Sequence, residues 1–335
     1  MRRPATDVSV VLPTHNRLHL LPVAIGSILR QEGVELELIV VDDGSTDGTG
    51  AWLDCFAAAE PRVKVVHHDR PRLMSGARNA GIARASSPWV AFCDDDDVWA
   101  PGKLAAQLRA LQASSARWGC TGVVVVDQGL DIVGHHHAKG GQVLSGLLEA
   151  NIVPTGSSVI ADLRLVRELG GFDRALLGSE DWDLWIRLAQ RSPLAAIDRP
   201  LIAYRLGMIS ASMNVGRMRA GHSVVVGRYA SWAAECGVEP DHSNHERYLA
   251  KQLLRAGARW KAASIFATLA IRHKRWRELP RVGAALLAPR LTDRLGSARA
   301  RAAVPSAWNQ EADAWLRPLR ASDREHSHDR SEARH

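Results

Sequence analysis

The sequence predicts an α/β protein in which a mostly parallel sheet is flanked by helices and followed by a smaller, helical C-terminal region. Three observations predict this class. Short β-branched runs alternate with helical patterns in the first part of the chain, polar loops follow three of those runs, and from about Gly216 the pattern becomes helical. Such alternation is typical of a parallel sheet whose strands are connected by helices.

The composition is that of a folded globular protein. The chain has 335 residues, of which 46% are hydrophobic and 24% charged, which argues against a disordered or fibrous chain. This length predicts one large domain with an appendage. The four cysteines lie far apart without C-x-x-C spacing, so neither a zinc knuckle nor a disulfide framework is indicated.

The N-terminal part is predicted to alternate strands with helices. The predicted strands are Val8–Leu12, Leu36–Val41, Val63–His67 and Trp89–Phe92. Apolar residues at helical spacing predict helices over Leu18–Arg30 and Gly50–Ala59. Ligands bind at the carboxyl ends of the strands in such open sheets, so the loops after the first, second and fourth strands are expected to meet in one crevice.

The middle of the chain is less regular. Pro101–Ala113 is predicted to be a helix, Gly122–Asp127 a buried strand and Gly134–Gly141 a turn-rich loop. That loop holds three adjacent histidines, which are not expected to bind one metal ion together, because alternate residues of an extended segment point to opposite sides. Two predicted helices follow, Asp162–Leu169, capped by its first residue, and Asp181–Ala189.

The C-terminal region is predicted to contain a helical hairpin. Apolar spacing over His245–Ile271 fits two helices broken near Gly257, and Trp276–Leu287 fits a further helix. After Pro318 the chain is charged and rich in histidine, which predicts a disordered tail. The predicted boundaries are therefore 1–214 for the α/β domain, 215–318 for the helical region and 319–335 for the tail.

Positive charge is concentrated in the helical region. From Gly216 onward 22 Lys and Arg stand against 12 Asp and Glu, a net charge of +10, which leaves −3 for the rest of the formal +7. Such a surface can bind anionic lipid, an acidic acceptor or RNA, or it can simply be solvated. A nucleic-acid partner is not expected, because the basic residues fall in helical segments and do not alternate with aromatic residues on a strand.

The sequence contains no apparent membrane-spanning segment. The apolar run from Val8 to Leu12 stops at Pro13, which is too short for a signal peptide, and no stretch approaches the roughly 18 uninterrupted apolar residues of a membrane span. A cytoplasmic location is therefore the expectation. The basic helical region adds the alternative of peripheral contact with the inner face of the membrane.

Four adjacent aspartates, Asp94 to Asp97, follow the predicted strand that ends at Phe92 and give the strongest local signal for chemistry. Adjacent carboxylates repel one another, so a loop that keeps them together usually has a cation to neutralise them. Hard oxygen ligands favour magnesium, manganese or calcium over zinc. Asp94 and Asp96 share a face and are the predicted ligands of one ion or its bound phosphates, although the alternative is an acidic turn that only stays solvated.

Two other segments are expected to line the same crevice. The loop from Asp42 to Asp47 offers carboxylates that can accept from a base N–H or a ribose hydroxyl, and Gly44 lets the backbone approach closely. Arg78 lies at the start of a helix, where positive charge suits a diphosphate. Alternatively, the loop is an ordinary helix cap and Arg78 pairs with one of the aspartates.

Acidic residues also begin a predicted amphipathic helix, at Glu180, Asp181 and Asp183. Acids are favourable at a helix N-terminus, so capping is one explanation. The other is general base catalysis, in which a carboxylate opposite a leaving diphosphate removes the proton from an acceptor hydroxyl that attacks an anomeric carbon. A displacement of that kind inverts the anomeric centre, and a metal stabilises the charge on the diphosphate.

Taken in order, these segments resemble the family 2 glycosyltransferases, which are inverting enzymes with the nucleotide-diphospho-sugar-binding GT-A fold. The matching segments are VVLPTHNR from Val10, VVDDGSTDGT from Val40, GARNAGI from Gly76, the four aspartates with Trp99 and Pro101, GFD from Gly171, EDWDLW from Glu180, and Tyr204-Arg205. The resemblance covers about residues 5 to 212 and implies a Rossmann-like sheet of the GT-A type.

The resemblance also implies the residues of a site. The donor-binding residues would be Pro13, Thr14, Asn16, Asp43, Arg78, Asp94 and Asp95. Asp94 and Asp96 would hold Mn²⁺ or Mg²⁺ with the diphosphate, and Asp181 would be the catalytic base. The family commonly has a histidine shortly after the Tyr-Arg pair, where this chain has Leu206, Gly207 and Met208, so no metal ligand is expected from that side.

The implied donor is a nucleotide-diphosphate sugar, most readily a UDP-sugar, with dTDP- and GDP-sugars as alternatives. The acceptor would belong to polysaccharide, glycolipid or glycosylated natural-product synthesis, and a lipid-linked saccharide is one candidate. A nucleotidyltransferase is a weaker alternative, because the segment from Pro13 to Arg17 has no glycine to wrap a triphosphate. A sugar-nucleotide or nucleic-acid binding protein without transferase activity is the third candidate, but it leaves the clustered carboxylates without a role.

Overall fold

The computed structural model describes residues 7–206, 215–272, 276–287 and 298–332. Its strands are β1 (Val8–Thr14), β2 (Leu36–Asp42), β3 (Val63–His67), β4 (Trp89–Phe92), β5 (Val98–Trp99), β6 (Trp118–Val126), β7 (Ile132–His136), β8 (Ile160–Asp162) and β9 (Leu194–Arg205). They form one sheet with the order β3-β2-β1-β4-β8-β6-β9-β5, and β7 pairs with β6.

Helices cover both faces of this sheet and form the C-terminal region. They are α1 (Leu21–Leu29), α2 (Thr49–Ala59), α3 (Leu73–Arg84), α4 (Lys103–Gln112), α5 (Leu144–Glu149), α6 (Leu163–Glu168), α7 (Glu180–Ala189), α8 (Val215–Glu235), α9 (His242–Arg255), α10 (Arg259–Arg272), α11 (Leu279–Leu287), α12 (298–302) and α13 (Ser306–Glu332). Short 3-10 turns lie at Gly156–Ser158 and Trp276–Glu278. The predicted α/β class with a helical C-terminal region is confirmed.

The first half of the sheet is parallel and the second half is mixed. β1 pairs in parallel with β2 and β4, and β2 pairs in parallel with β3. β8 runs antiparallel to β4 and β6, whereas β9 runs parallel to β6. Every residue of β1 and β2 is buried, as expected for central parallel strands covered on both faces.

The alternation of side chains along β1 divides the core in two. Val11 belongs to one hydrophobic cluster, with α3, α6 and α7, while Val10 and Leu12 belong to the other, with α1 and α4. Successive side chains of a strand point to opposite faces, so a single strand contributes to both layers. Helices on both sides therefore hold β1 in place, and its carboxyl end is a rigid platform.

Several segments differ from the sequence-based expectation, three of them near the sheet. α1 begins at Leu21 rather than Leu18, because residues 17–20 form a turn closed by the Leu20 N–H and the Arg17 carbonyl. β6 begins at Trp118, four residues before the predicted strand. The segment 134–141, predicted to be a loop, begins as strand β7, since the carboxylate of Asp127 accepts N–H groups of the following turn and closes a β6–β7 hairpin.

The C-terminal helices follow the predicted hairpin and extend beyond it. α9 and α10 are separated at Gly257, which has a φ of +76°. α13 packs Trp308, Ala312 and Leu316 against Val124 and Val126 of the sheet. This helix continues to Glu332 through residues expected to be disordered, because Ala, Arg and Glu propagate a helix once its first turns are anchored. Residues 333–335 of that tail lie outside the described residues.

No helix within the described ranges combines the length and hydropathy needed to cross a bilayer.

One ionisable side chain is enclosed in the core beneath α4. Lys103 is fully buried, its Nζ donates to Oε1 of Gln107 at 2.9 Å, and it lies 3.7 Å from the ring centroid of Trp99. Burial lowers the pKa of this lysine to about 7. The charged form is therefore disfavoured in the folded state, although the indole face partly compensates.

Replacing Lys103 by methionine is expected to remove a pH dependence of stability. A lysine in the unfolded chain has a pKa near about 10.4, so above about pH 7 the unfolded chain binds more protons than the folded one. The free energy of unfolding of the unmodified protein should therefore rise with pH, by at most about 1.4 kcal/mol per pH unit. Urea unfolding between about pH 7 and pH 9 measures this slope, which Gln107→Met should retain and Lys103→Met should lose. Parallel profiles for the three proteins would contradict it.

Candidate active site

Three loops meet at the carboxyl ends of β1, β2 and β4. The chain passes from β1 outward to β2 and β3 and then returns to β4 on the other side of β1, so the strand order reverses at β1. Thr14, at the end of β1, donates its hydroxyl to Oδ2 of Asp95 at 2.8 Å, and Nδ1 of His15 lies 2.9 Å from the carbonyl oxygen of Asp43. The predicted meeting of these loops is therefore confirmed, at a position where open α/β sheets bind ligands.

Two arginines hold the acidic loop that follows β4. Nη1 of Arg17 donates to Oδ1 of Asp95 at 2.8 Å and to Oδ2 of Asp96 at 2.7 Å. Nη2 of Arg78 donates to Oδ1 of Asp94 at 2.7 Å. The backbone N–H of Asp94 also donates to the hydroxyl of Ser157 at 2.9 Å, in the 3-10 turn. The loop is thus fixed from three directions.

The electrostatics of this loop favour a cation. Burial raises the pKa of Asp95 to about 7 against the opposing charge of Arg17. Burial and the neighbouring charge of Asp94 raise the pKa of Asp96, and burial raises the pKa of Asp97 far above its usual range. The two arginines therefore leave part of the repulsion between the carboxylates uncompensated. A further positive charge at Asp94 and Asp96 would relieve it.

The side chains present fit a divalent metal that takes only a few protein ligands. Asp94 and Asp96 offer carboxylate oxygens at the loop, with side-chain exposures of 25% and 17%. Within the described ranges, no group of three or more His, Cys, Asp or Glu side chains is arranged around one point. Mg²⁺ commonly binds one or two carboxylates and completes its shell with phosphate oxygens and water. The two predicted ligands are sufficient for that arrangement.

The loop after β2 is preformed by its own hydrogen bonds. Asp43 is 5% exposed and accepts from the backbone N–H groups of Arg72 at 2.8 Å and Leu73 at 2.9 Å, while Nδ1 of His68 lies 2.7 Å from its Oδ1. Oδ1 of Asn16 accepts from the N–H of Thr46 at 2.7 Å. Both side chains therefore shape the crevice.

Two further predicted donor-binding residues belong to β1 itself. Pro13 is buried opposite Val41, and Thr14 is buried with its hydroxyl committed to Asp95. The structure brings Pro13, Thr14, Asn16, Asp43, Arg78, Asp94 and Asp95 to one edge of the sheet. Their contact with a donor remains a prediction. Asp95 is almost completely buried, so it is better placed to orient Arg17 than to contact a donor itself.

A tight left-handed turn places the acidic start of α7 at this edge. Gly178 has a φ of +146° and Ser179 a φ of +58°, so the chain reverses sharply before Glu180. Oε1 of Glu180 accepts from Nη1 of Arg78 at 3.1 Å, and burial raises the pKa of Glu180 to about 7. One buried guanidinium therefore connects the acidic loop to the helix that carries Asp181.

Asp181 stands beside this bridge. Its Oδ1 accepts from the N–H of Trp182 at 2.7 Å, and the side chain remains partly exposed. Burial raises its pKa, and Arg78 opposes this rise. A carboxylate whose pKa is raised is a stronger base than an ordinary one, which suits proton removal from a hydroxyl.

Helix α7 is anchored on its buried side. The ring of Trp185 packs on Phe92, Trp118 and Phe172, and Nε1 of Trp182 donates to the carbonyl of Leu147 at 2.7 Å. The start of α7 is therefore held by the same core that holds β4. Asp181 and the acidic loop are consequently fixed relative to each other.

A buried carboxylate links α7 to the C-terminal region. The side chain of Asp183 is fully buried and accepts from Arg187 at 2.9 Å, from Nη1 of Arg228 at 2.7 Å and from the hydroxyl of Tyr229 at 2.9 Å. Nη2 of Arg228 also donates to Asp173 at 2.7 Å. Helix α8 is thus tied to the helix that presents Asp181.

The Tyr-Arg pair at the end of β9 lies behind the acidic loop. Tyr204 hydrogen-bonds Tyr248 of α9, and burial raises its pKa, with a further rise from the charges of Asp97 and Asp96. Nη1 of Arg205 donates to the carbonyl of Gln128 at 2.8 Å. The C-terminal region therefore reaches the site through Tyr248. Gly207 and Met208, where a family histidine is absent, lie outside the described residues.

Several residues of the site were missed by sequence reasoning. Arg17 had a usable signal, because it is a basic residue just after the first strand and near four aspartates that need a counter-charge. Ser157 and Tyr248 had none, since their positions depend on contacts between distant segments such as the one that joins Asp94 to Ser157 over 63 residues.

The sequence comparisons agree with this geometry. The family model described as "Glycosyl transferase family 2" matches residues 9–161. The Escherichia coli UDP-Glc:alpha-D-GlcNAc-diphosphoundecaprenol beta-1,3-glucosyltransferase WfgD is 29% identical over 209 residues, 62% of this chain and 80% of that protein. The succinoglycan biosynthesis protein ExoO of Rhizobium meliloti is 39% identical over 127 residues, 38% of this chain and 34% of that protein.

An uncharacterized glycosyltransferase of Rickettsia conorii is 28% identical over 211 residues, 60% of this chain. The match covers 33% of that protein, so the chain spans about a third of the length of some curated relatives.

Solved structures show the same fold. S. aureus TarS 1-349 in complex with UDP-GlcNAc has a TM-score of 0.56 at 16% identity, covering 95% of this chain and 87% of that one. The mannosyltransferase PcManGT from Pyrobaculum calidifontis in complex with GDP-Man and Mn²⁺ has a TM-score of 0.53 at 22% identity, covering 92% and 91%. Fold and site together define a GT-A type protein. Residues 9–161 of the chain match the family 2 glycosyltransferases.

Proposed function

We propose that this protein transfers a sugar from a nucleotide-diphosphate sugar to an acceptor hydroxyl with inversion of the anomeric centre. The observation that carries the proposal is the bridge formed by Arg78, which contacts Asp94 of the acidic loop and Glu180 beside Asp181. That bridge joins a site suited to a leaving diphosphate to a carboxylate suited to an attacking hydroxyl. An inverting displacement needs both on opposite sides of the sugar.

The acidic loop and its arginines would bind the diphosphate. Asp94 and Asp96 would hold Mn²⁺ or Mg²⁺, which when bound stabilises the negative charge on the leaving diphosphate. Arg17 and Arg78 contact carboxylates of this acidic loop, and each can direct a guanidinium N–H towards the phosphate oxygens. The preformed loop at Asp43 would receive the nucleoside.

Asp181 would act as the general base. Its carboxylate takes the proton of the acceptor hydroxyl while the hydroxyl oxygen forms a bond to the anomeric carbon. The bond from that carbon to the diphosphate oxygen breaks on the other side, so the configuration inverts. Because burial raises the pKa of Asp181, this base loses its proton at a higher pH than an ordinary aspartate, and activity should rise as the pH rises.

A UDP-sugar is the proposed donor and a lipid-linked saccharide the proposed acceptor. WfgD is named for UDP-glucose and a diphosphoundecaprenol-linked sugar, and the TarS complex contains UDP-GlcNAc, which support this choice. The PcManGT complex contains GDP-Man, so GDP-sugars remain an alternative donor class, as do dTDP-sugars. We place the reaction in polysaccharide synthesis, on the cytoplasmic side of a membrane that the protein contacts peripherally.

Calorimetric titration with UDP, dTDP and GDP, each with and without Mn²⁺, tests the donor site. We expect one diphosphate to bind in a metal-dependent manner and Asp96→Ala to weaken that binding by at least about tenfold, because the metal loses a carboxylate. Asp54→Ala is the matched control, since this carboxylate is 67% exposed on α2. If no diphosphate binds under any condition, the acidic loop is not a donor site.

A further inference from the structure

Large apolar side chains are exposed on the C-terminal helices. Trp260 and Ile271 of α10 are 68% and 63% exposed, Trp276 of the following 3-10 turn is 60% exposed, and Leu279 of α11 is 47% exposed. We call these four side chains the apolar surface. Among the residues that the structure describes, Trp260 and Trp276 are the two tryptophans with this degree of exposure. Exposure of large apolar groups in one region marks an interaction site.

Helix geometry places these side chains on the outside of one unit. Trp260 and Ile271 are 271 − 260 = 11 residues apart, which is about three turns of 3.6 residues, so they share a face of α10. The opposite face of α10 is buried through Phe266 and Leu269 against α9 and α11. The 3-10 turn and α11 both pack against α10, which brings Trp276 and Leu279 to the same unit.

Cations surround the apolar surface in sequence. Residues 255–281 contain eight Lys and Arg, with Glu278 as the single acidic residue. Arg259 and Lys261 flank Trp260 and are exposed, and the guanidinium of Arg259 lies 5.7 Å from the ring centroid of Trp260. Tryptophan at the interface and basic side chains near anionic headgroups are the two features that bind a helical surface to a bilayer.

We propose that the apolar surface docks the protein on an anionic phospholipid bilayer, with Trp260 and Trp276 at headgroup depth. A second copy of the chain is a less suitable occupant, because two such surfaces would bring their positive charges together. Helix α9, which packs on α10, carries the Tyr248 that hydrogen-bonds Tyr204 beside the acidic loop. Docking would therefore hold at the membrane the helical unit that contacts the site through Tyr248, a purpose that rests on the proposed lipid-linked acceptor.

Co-sedimentation of the full chain with vesicles tests the docking surface. The vesicles are phosphatidylcholine alone or phosphatidylcholine mixed with phosphatidylglycerol, at low and at physiological salt. We expect binding to the anionic vesicles that weakens with salt, and at least a tenfold lower partition coefficient for Trp260→Ser/Trp276→Ser. Val224→Ser, which removes a 49% exposed apolar side chain of α8, should bind as the unmodified protein does.

Three results would overturn the docking proposal. They are absence of binding to anionic vesicles, equal binding by the double variant, and a dimer of the unmodified protein in sedimentation velocity that is lost in the double variant while neither protein binds vesicles. Circular dichroism and titration with UDP and Mn²⁺ test whether the double variant is folded and retains its donor site. If the unmodified protein bound none of UDP, dTDP and GDP, the proposed function would be overturned instead, and the vesicle result would stand.

Discussion

Asp181→Asn is expected to slow sugar transfer by about 10²- to 10⁴-fold while UDP binding is retained, because an amide cannot accept the proton of the acceptor hydroxyl. Asparagine keeps the size of aspartate and can still accept the N–H of Trp182, so the turn before α7 should persist. The proposed donor contacts lie on the acidic loop and Arg78, which this substitution leaves in place.

Initial rates of transfer from a UDP-sugar, together with calorimetric titration by UDP, measure the two halves of this prediction. The pH profile adds a second readout: burial raises the pKa of Asp181, so the unmodified enzyme should lose activity as the pH falls through that raised value, and the residual activity of the variant should not. Asp198→Asn, a substitution of a half-exposed carboxylate beside His137, should change neither quantity. Unchanged turnover in Asp181→Asn would remove Asp181 from the mechanism.

Asp183→Ala is expected to lower the free energy of unfolding by about 3–5 kcal/mol, the range for removing one partner of a buried ion pair. The carboxylate is fully buried and accepts from Arg187, Arg228 and Tyr229. Its removal leaves two guanidinium groups without their buried partner and removes the ionic link between α8 and α7. The position of Asp181 in the first turn of α7 should loosen as a result.

Urea unfolding followed by circular dichroism measures this effect, and Asp173→Ala is its matched control. Asp173 also binds Arg228 at 2.7 Å, but its side chain is 29% exposed, so its removal should cost less than about 1 kcal/mol. Equal losses in the two variants would show that burial of Asp183 does not set the strength of the α7–α8 link.

The parallel half of the fold and the location of the crevice were predictable from the sequence. β1, β2 and β4 are short β-branched runs that end in polar loops. A strand buried on both faces has few ways other than pairing with neighbouring strands to satisfy its backbone hydrogen bonds. The four aspartates stood out because carboxylates placed together at a strand end need compensation. Helix α7 and the α9–α10 hairpin were predictable from apolar spacing alone.

Features that depend on distant partners could not be predicted. The pairing of Asp183 with Arg228 joins α7 to α8 across 45 residues, and nothing local distinguishes it from an exposed i,i+4 pair with Arg187. The segment of strand β7 was predicted to be a loop because glycine and histidine are weak strand formers. It forms a strand because it pairs with β6. Positions 319–332 were predicted to be disordered because they are polar. They continue helix α13 because the first turns of that helix are packed on the sheet.

The packing of α13 on the sheet has a consequence for how the chain acquires its shape during synthesis. Trp308 and Leu316 cover Val124 and Val126, and the hydrogen bond from Arg320 to the carbonyl of Leu130 joins positions 190 residues apart. Chains fold from the N-terminus as they leave the ribosome, so β6 and β7 emerge long before their cover exists. A nascent chain stalled before α13 would expose this apolar strand face, and a chaperone that binds extended apolar segments would find its substrate there.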